Sequence, residues 1–178
     1  MKKSLLSIAL TSLLATSAFV STSASAVEGL SANAAVTSNY LWRGLQQTNG
    51  NAAVSGGIDY AADSGFYVGT WASNIDFGDS ATYELDLYGG YGGSINEDLS
   101  YDVGFIYFAY PDAPGSSDFS EVYGSLTFKA LTVGVAVLTS ADSYDAGDSI
   151  YANVDYAIAL SNDVEVNLHL GSYSGDFS

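Results

Sequence analysis

From residue 27 onward the chain alternates, apolar residue against polar, with no sustained helical periodicity. In "ANAAVTSNYLWR", Ala34, Val36, Tyr40 and Trp42 share one face, and Asn33, Thr37, Asn39 and Arg43 the other. A second strand near residues 51–61 sets Val54, Ile58 and Tyr60 against Ser55 and Asp59. Residues 66–73 form a third, ambiguous one, because both of its faces carry an aromatic. "TYELDLYGGY" opposes Tyr83, Leu85, Leu87 and Tyr91 to Glu84 and Asp86, and "LSYDVGFIY" opposes Leu99, Tyr101, Val103, Phe105 and Tyr107 to Ser100 and Asp102. Further on, Val122, Leu126 and Phe128 face away from Glu121, Ser125, Thr127 and Lys129, and Leu131, Val133, Val135 and Val137 from Thr132, Gly134 and Ser140. Ile150, Val154, Tyr156 and Ile158 oppose Asn153 and Asp155, and Val164, Val166, Leu168 and Leu170 oppose Glu165, Asn167 and His169. The pattern predicts nine strands.

Most are about ten residues long, the length of a tilted membrane-crossing strand rather than the five or six of an ordinary globular one. Their connections alternate. Residues 62–65, 93–98, 129–130 and 160–163 are short, whereas 44–51, 74–81, 111–118 and 141–149 are longer. Long loops at one end and tight turns at the other are the habit of outer-membrane barrels. Aromatics fit this: Tyr40, Trp42, Tyr83 and Tyr107 fall on the apolar face near the long loops, and Tyr60, Tyr91, Tyr101, Phe128 and Tyr156 on the same face near the short turns. Two girdles at the hydrocarbon borders are expected. The expectation is an all-β, antiparallel, up-and-down transmembrane barrel over residues 27–178. Closed bacterial barrels need an even strand number, so nine strands predict a piece of a larger barrel of about twelve.

Residues 1–26 stand apart. A basic start, an apolar run from Leu5 to Leu14 and the small residues Ala24-Ser25-Ala26 read as a secretory signal cut after Ala26. Such a cut removes Lys2 and Lys3 and takes the formal charge from −16 to about −18, leaving Arg43 and Lys129 as the basic residues. That balance excludes a nucleic-acid footprint and favours cations. The absence of cysteine removes disulfide and thiolate chemistry. Fourteen tyrosines and nineteen glycines beside two prolines suit strands whose faces meet different surroundings.

"TSNYLWRGLQQTNGNAAVSGGIDY", "SGFYVGTWASNIDF", "YELDLYGGYGG" and "LSYDVGFIY" resemble, in order, blocks of the TorF-like porins, proteobacterial outer-membrane proteins of unknown function. The resemblance runs from about Ala32 to the end. It implies a barrel of the outer membrane with a porin role and longer chains than this one.

Candidate chemistry follows from the polar face. Arg43, Asp59, Glu84, Asp86, Asp102, Glu121, Lys129, Asp155, Glu165 and His169 are expected to line a lumen, where carboxylates favour cations over anions. Arg43 has Glu84 or Glu121 as partner, either as a structural salt bridge or as a cationic element in an acidic constriction. His169 lacks a second histidine or a nucleophile elbow, so no catalysis is expected. "GGYGG" has no helix after it and is not a phosphate loop. Residues 142–149 lack the spacing and terminal Glu of a calcium loop. The reading is a passive outer-membrane pore for small hydrophilic solutes, cation-preferring and without cofactor, with outer-membrane lipid as its surroundings. A soluble exported barrel that binds a small ligand and a secreted adhesin are the alternatives.

Overall fold

The computed structural model describes residues 27–142, 144–160 and 164–175. The signal segment with its Ala26 junction, most of the fourth short turn and the last three residues lie outside the described residues. Eleven strands appear in chain order: β1 Leu30–Thr37, β2 Leu41–Trp42, β3 Leu45–Gln46, β4 Ala53–Ala61, β5 Phe66–Asn74, β6 Tyr83–Ser94, β7 Leu99–Ala109, β8 Phe119–Phe128, β9 Leu131–Ala141, β10 Ser149–Ala159 and β11 Glu165–Gly175. The nine long ones form a single antiparallel sheet in the order β1-β4-β5-β6-β7-β8-β9-β10-β11, each paired with its sequence neighbour. β2 and β3 form a separate two-stranded hairpin. The sheet is open: β1 and β11 are its two edges and do not pair with each other.

The two faces differ as the alternation requires. Val36 and Val54 are each 61% exposed, and Ile58, Leu87, Val103, Val122, Leu126, Val133 and Leu168 lie bare on the same outer face. Opposite them, Glu84 and Asp86 are 2% exposed and Glu121 3%. Burying these carboxylates while large apolar side chains stay bare inverts the usual preference of the two residue classes.

Contacts across the inner face show that it is concave. Tyr40 lies against Trp71 on β5, while Arg43, three residues on, bonds the Tyr173 hydroxyl on β11. Six strand spacings of about 4.8 Å would set those two strands roughly 29 Å apart on a flat sheet. Curling brings them together. It also resolves β5, whose faces were ambiguous in sequence: Phe66 and Val68 point out, while Tyr67 and Trp71 turn in.

The inward tyrosines need room, and glycine supplies it. Tyr123 lies across Gly104, its register partner on β7, and Tyr67 lies across Gly90 on β6. A Cβ on Gly104 would stand 2.5 Å from the Tyr123 ring and 2.9 Å from the Gly89 carbonyl oxygen. The glycine-rich run of β6 thus serves to lay rings flat against the inner wall.

The apolar core sits on the inner face, toward the long loops. Phe108 stacks on Phe119 at 4.3 Å, and Tyr40, Ala53, Ile75, Ala81, Ile106, Tyr110 and Leu138 belong to the same cluster, with Trp42 and Trp71 against it. We expect Gly104→Ala to lower stability by about 1–3 kcal/mol through this crowding. Urea unfolding of the refolded protein in detergent micelles measures it; an unchanged midpoint would show that the ring yields freely.

Candidate functional site

Residues 38–52 decide the character of the inner face. Alternation through "NYLWR" suggests that β1 continues to Arg43. Instead β1 stops at Thr37, and the chain turns inward as the β2–β3 hairpin. Its loop is Arg43-Gly44, with φ of 49° and 86°. Positive φ at both loop residues is the type I′ turn that matches strand twist, though Asn or Gly is the usual first residue. Thr48, 1% exposed, knots the base: its hydroxyl accepts from the Tyr40 N–H at 3.1 Å and lies 2.6 Å from the Asn51 carbonyl. The Asp76 N–H donates to the Gln47 carbonyl at 2.8 Å, tying the hairpin to the neighbouring long loop.

The hairpin is seated by two carboxylates. Glu84 on β6 accepts the Tyr40 hydroxyl on one oxygen and the Tyr110 hydroxyl on the other, each at 2.7 Å. Glu121 on β8 receives Arg43 through two parallel bonds, Nη1 to Oε1 at 2.8 Å and Nη2 to Oε2 at 2.6 Å. Nη1 also donates to the Tyr173 hydroxyl on β11 at 3.0 Å. The guanidinium carbon lies 4.4 Å from the Trp42 ring centre, 4.3 Å from that of Tyr151 and 5.6 Å from that of Tyr173. Burial disfavours the Arg43 cation, but bonding and charge from Glu121 prevail and its pKa rises. It is charged at every accessible pH. The Tyr40 and Tyr110 phenols are pushed up by burial, reinforced by the charge of Glu84.

Toward the short-turn end the inner face is polar and more open. The Tyr67 hydroxyl donates to Asp102 at 2.8 Å, Tyr88 bonds Asp59, and Asn33 donates to Asp59 at 3.4 Å. Asp155 and His169 pair across β10 and β11 at 2.5 Å, and the other ring nitrogen of His169 lies 2.6 Å from the Tyr151 hydroxyl. The hydroxyl in this row belongs to a buried ring packed under Arg43.

The structure therefore sorts the expected lumen set. Asp59, Asp102, Asp155 and His169 lie on the inner face, and Glu165 sits on the edge strand bonded to Asn167. Glu84, Asp86 and Glu121 face inward too, yet they are buried: the first and last seat the hairpin, and Asp86 keeps one oxygen without a partner. Of the two partners expected for Arg43, Glu121 is the one used. Lys129 is not on the inner face. It occupies the β8–β9 turn at φ 55°, exposed, with Asp98 3.6 Å away. Tyr40 and Trp42 do not belong to an outer girdle, because the hairpin carries both into the core. Tyr60, Tyr83, Tyr91, Phe128 and Tyr156 are exposed near strand ends, and Tyr101 and Tyr107 are half-covered, stacked on Tyr91 and bonded to Asp118 respectively. Among the described residues no group of three or more His, Asp or Glu could hold a metal ion.

Sequence reasoning passed over Tyr67, Tyr88, Tyr123, Tyr151 and Tyr173. Parity was the available signal: Tyr88 lies in step with Glu84 and Asp86, and Tyr123 with Glu121.

A family model described as "Bacterial protein of unknown function (Gcw_chp)" matches residues 21–177. The chain belongs to this family. No curated protein and no solved structure matches it. For Gcw_chp the description states no activity, so function rests on the geometry above.

Removing one member of the Arg43–Glu121 pair strands the other in a buried site, at a cost of about 3–5 kcal/mol. We expect Arg43→Met and Glu121→Leu each to destabilise by that order, and the double variant by less than their sum. A double-mutant cycle of urea midpoints checks it; strict additivity would deny the coupling. A second expectation concerns the long loops, where Asp112 accepts the Thr82 hydroxyl at 2.5 Å and the Thr82 N–H at 3.1 Å. The Thr82 hydroxyl holds the Asp112 carboxyl below its ordinary value. A carboxyl lowered on folding stabilises above its unfolded pKa, and the benefit goes as pH falls through the folded one. Proteolysis of loop 110–118 should thus accelerate below about pH 4, and Asp112→Asn should flatten that dependence.

Proposed function

We propose that the chain is an outer-membrane β-barrel protein that admits small hydrophilic solutes, cations in preference to anions, past a lumen hairpin. One observation carries the reading: the outer face is a continuous apolar band while the concave face gathers carboxylates and hydroxyls. A bare apolar surface of this extent in water would invite association. Lipid covers it at no such cost, and long strands of 8 to 12 residues suit the crossing. A soluble ligand-binding barrel would not leave an outer face of this extent bare and apolar, whatever apolar residues it also turned inward. No helix of the described residues is long and apolar enough to cross a membrane, and a strand-built crossing needs none.

The reading requires that the edges β1 and β11 be paired in the bilayer, since each bare backbone group there costs several kcal/mol. It also makes the passage narrow. The hairpin and the Phe108 cluster occupy the long-loop half, and the half with accessible carboxylates, Asp59, Asp102 and Asp155, forms the vestibule. Such carboxylates raise local cation concentration and repel anions.

The test is planar-bilayer recording under a salt gradient. Reversal potentials should show cation preference, weakened in Asp59→Asn combined with Asp102→Asn. Anion preference would overturn the selectivity, and lack of conductance across all preparations would overturn the pore.

A further inference from the structure

Arg43 is the one described cation on the inner face, and the strands treat it as a bound ligand would be treated. Its partners Glu121, Tyr151 and Tyr173 stand on three strands of one sheet, β8, β10 and β11, whereas Arg43 itself sits at the tip of a two-residue loop. Arg43 is also poorly suited to its backbone, because an L side chain at φ 49° is disfavoured by roughly 1–2 kcal/mol. Its presence there is explained by what its side chain reaches.

The geometry of the cage is specific. A carboxylate that accepts two parallel N–H bonds matches a planar fork, as a guanidinium has and an ammonium lacks. The Tyr173 hydroxyl takes a further bond, and the faces of Trp42 and Tyr151 lie within cation–π distance of the guanidinium carbon. Trp42 packs against Phe108 and Phe119, so its ring is held independently of Arg43. The buried indole N–H of Trp42 has no acceptor, leaving an unused donor beside the cage.

We propose that Glu121, Tyr151, Tyr173 and Trp42 form a recognition site for solutes bearing an alkyl-guanidinium group, for which Arg43 is the built-in competitor. A guanidinium solute drawn in by the inner carboxylates takes the cage, Arg43 swings out, and the hairpin tip is released from β8 and β11. This deepens the reading of the chain as a solute passage by naming a substrate class and a way in which that substrate loosens its own barrier.

The experiment uses the full mature chain refolded in detergent micelles, with ethylguanidinium as probe and tetramethylammonium and urea as controls. Calorimetric titration of Arg43→Ala should show saturable binding at about millimolar concentration, roughly tenfold tighter than in the unsubstituted protein, where Arg43 competes. Arg43→Ala combined with Glu121→Gln should lose at least about tenfold of that affinity, and neither control should bind. Folded Arg43→Ala without saturable binding, or binding indifferent to Glu121→Gln, would overturn the site. Should Arg43→Ala not fold, Trp42 emission is followed in Trp71→Phe protein: a saturable change with ethylguanidinium that Glu121→Gln abolishes supports the cage, and its absence overturns it. Binding in micelles needs no conduction. Binding without conductance therefore overturns the pore alone, and conductance without binding overturns the cage alone.

Discussion

A buried ion pair between a loop and a strand organises this inner face. Neither Arg43 nor Glu121 is tolerable there without the other, because a lone charge away from water has no compensation. The fork-to-fork bond ties residues 78 apart in sequence, and the Tyr173 contact ties residues 130 apart. Strand pairing cannot do this, since each long strand bonds only to its sequence neighbours. The pair, with the Tyr40–Glu84–Tyr110 bonds, is what keeps the hairpin inside the curve.

Curvature and composition then explain each other. An inner wall of alternating glycines and tyrosines lets phenol rings lie flat, their hydroxyls meeting the carboxylates opposite. Asp59, Glu84 and Asp102 thereby find a donor without needing a cation.

The long strands were legible because period-two alternation depends on nothing beyond the local sequence. All nine were anticipated, and in neighbour order. The hairpin was not. Tyr40 and Trp42 continue the parity of Val36 faithfully, and only tertiary contacts with Glu84 and Phe108 reveal that the backbone leaves the sheet after Thr37. Lys129 misled for a related reason: parity carried past the end of β8 assigns a face to a residue that sits in a turn. The inner-face tyrosines share the parity of the buried carboxylates, but alternation that counts tyrosine as apolar passes over them. The choice of Glu121 over Glu84 for Arg43 could not be found that way. Both residues have the same parity and similar height, and the fold of the hairpin decides between them.

The separation of these contacts along the chain has a consequence for the order of assembly. Neighbouring strands can zip up one after another as short-range hairpins, each closing a small loop. Glu84 on β6 can hold the base of the hairpin early, but its tip at Arg43 has no partners until β8, β10 and β11 have arrived. Loop-closure entropy sets that docking late. Until then Arg43 stays in water, and the concave face is an unfilled trough. The step that fills the interior is thus held back to the last described strands, and a stalled chain would be caught with its carboxylates bare to water.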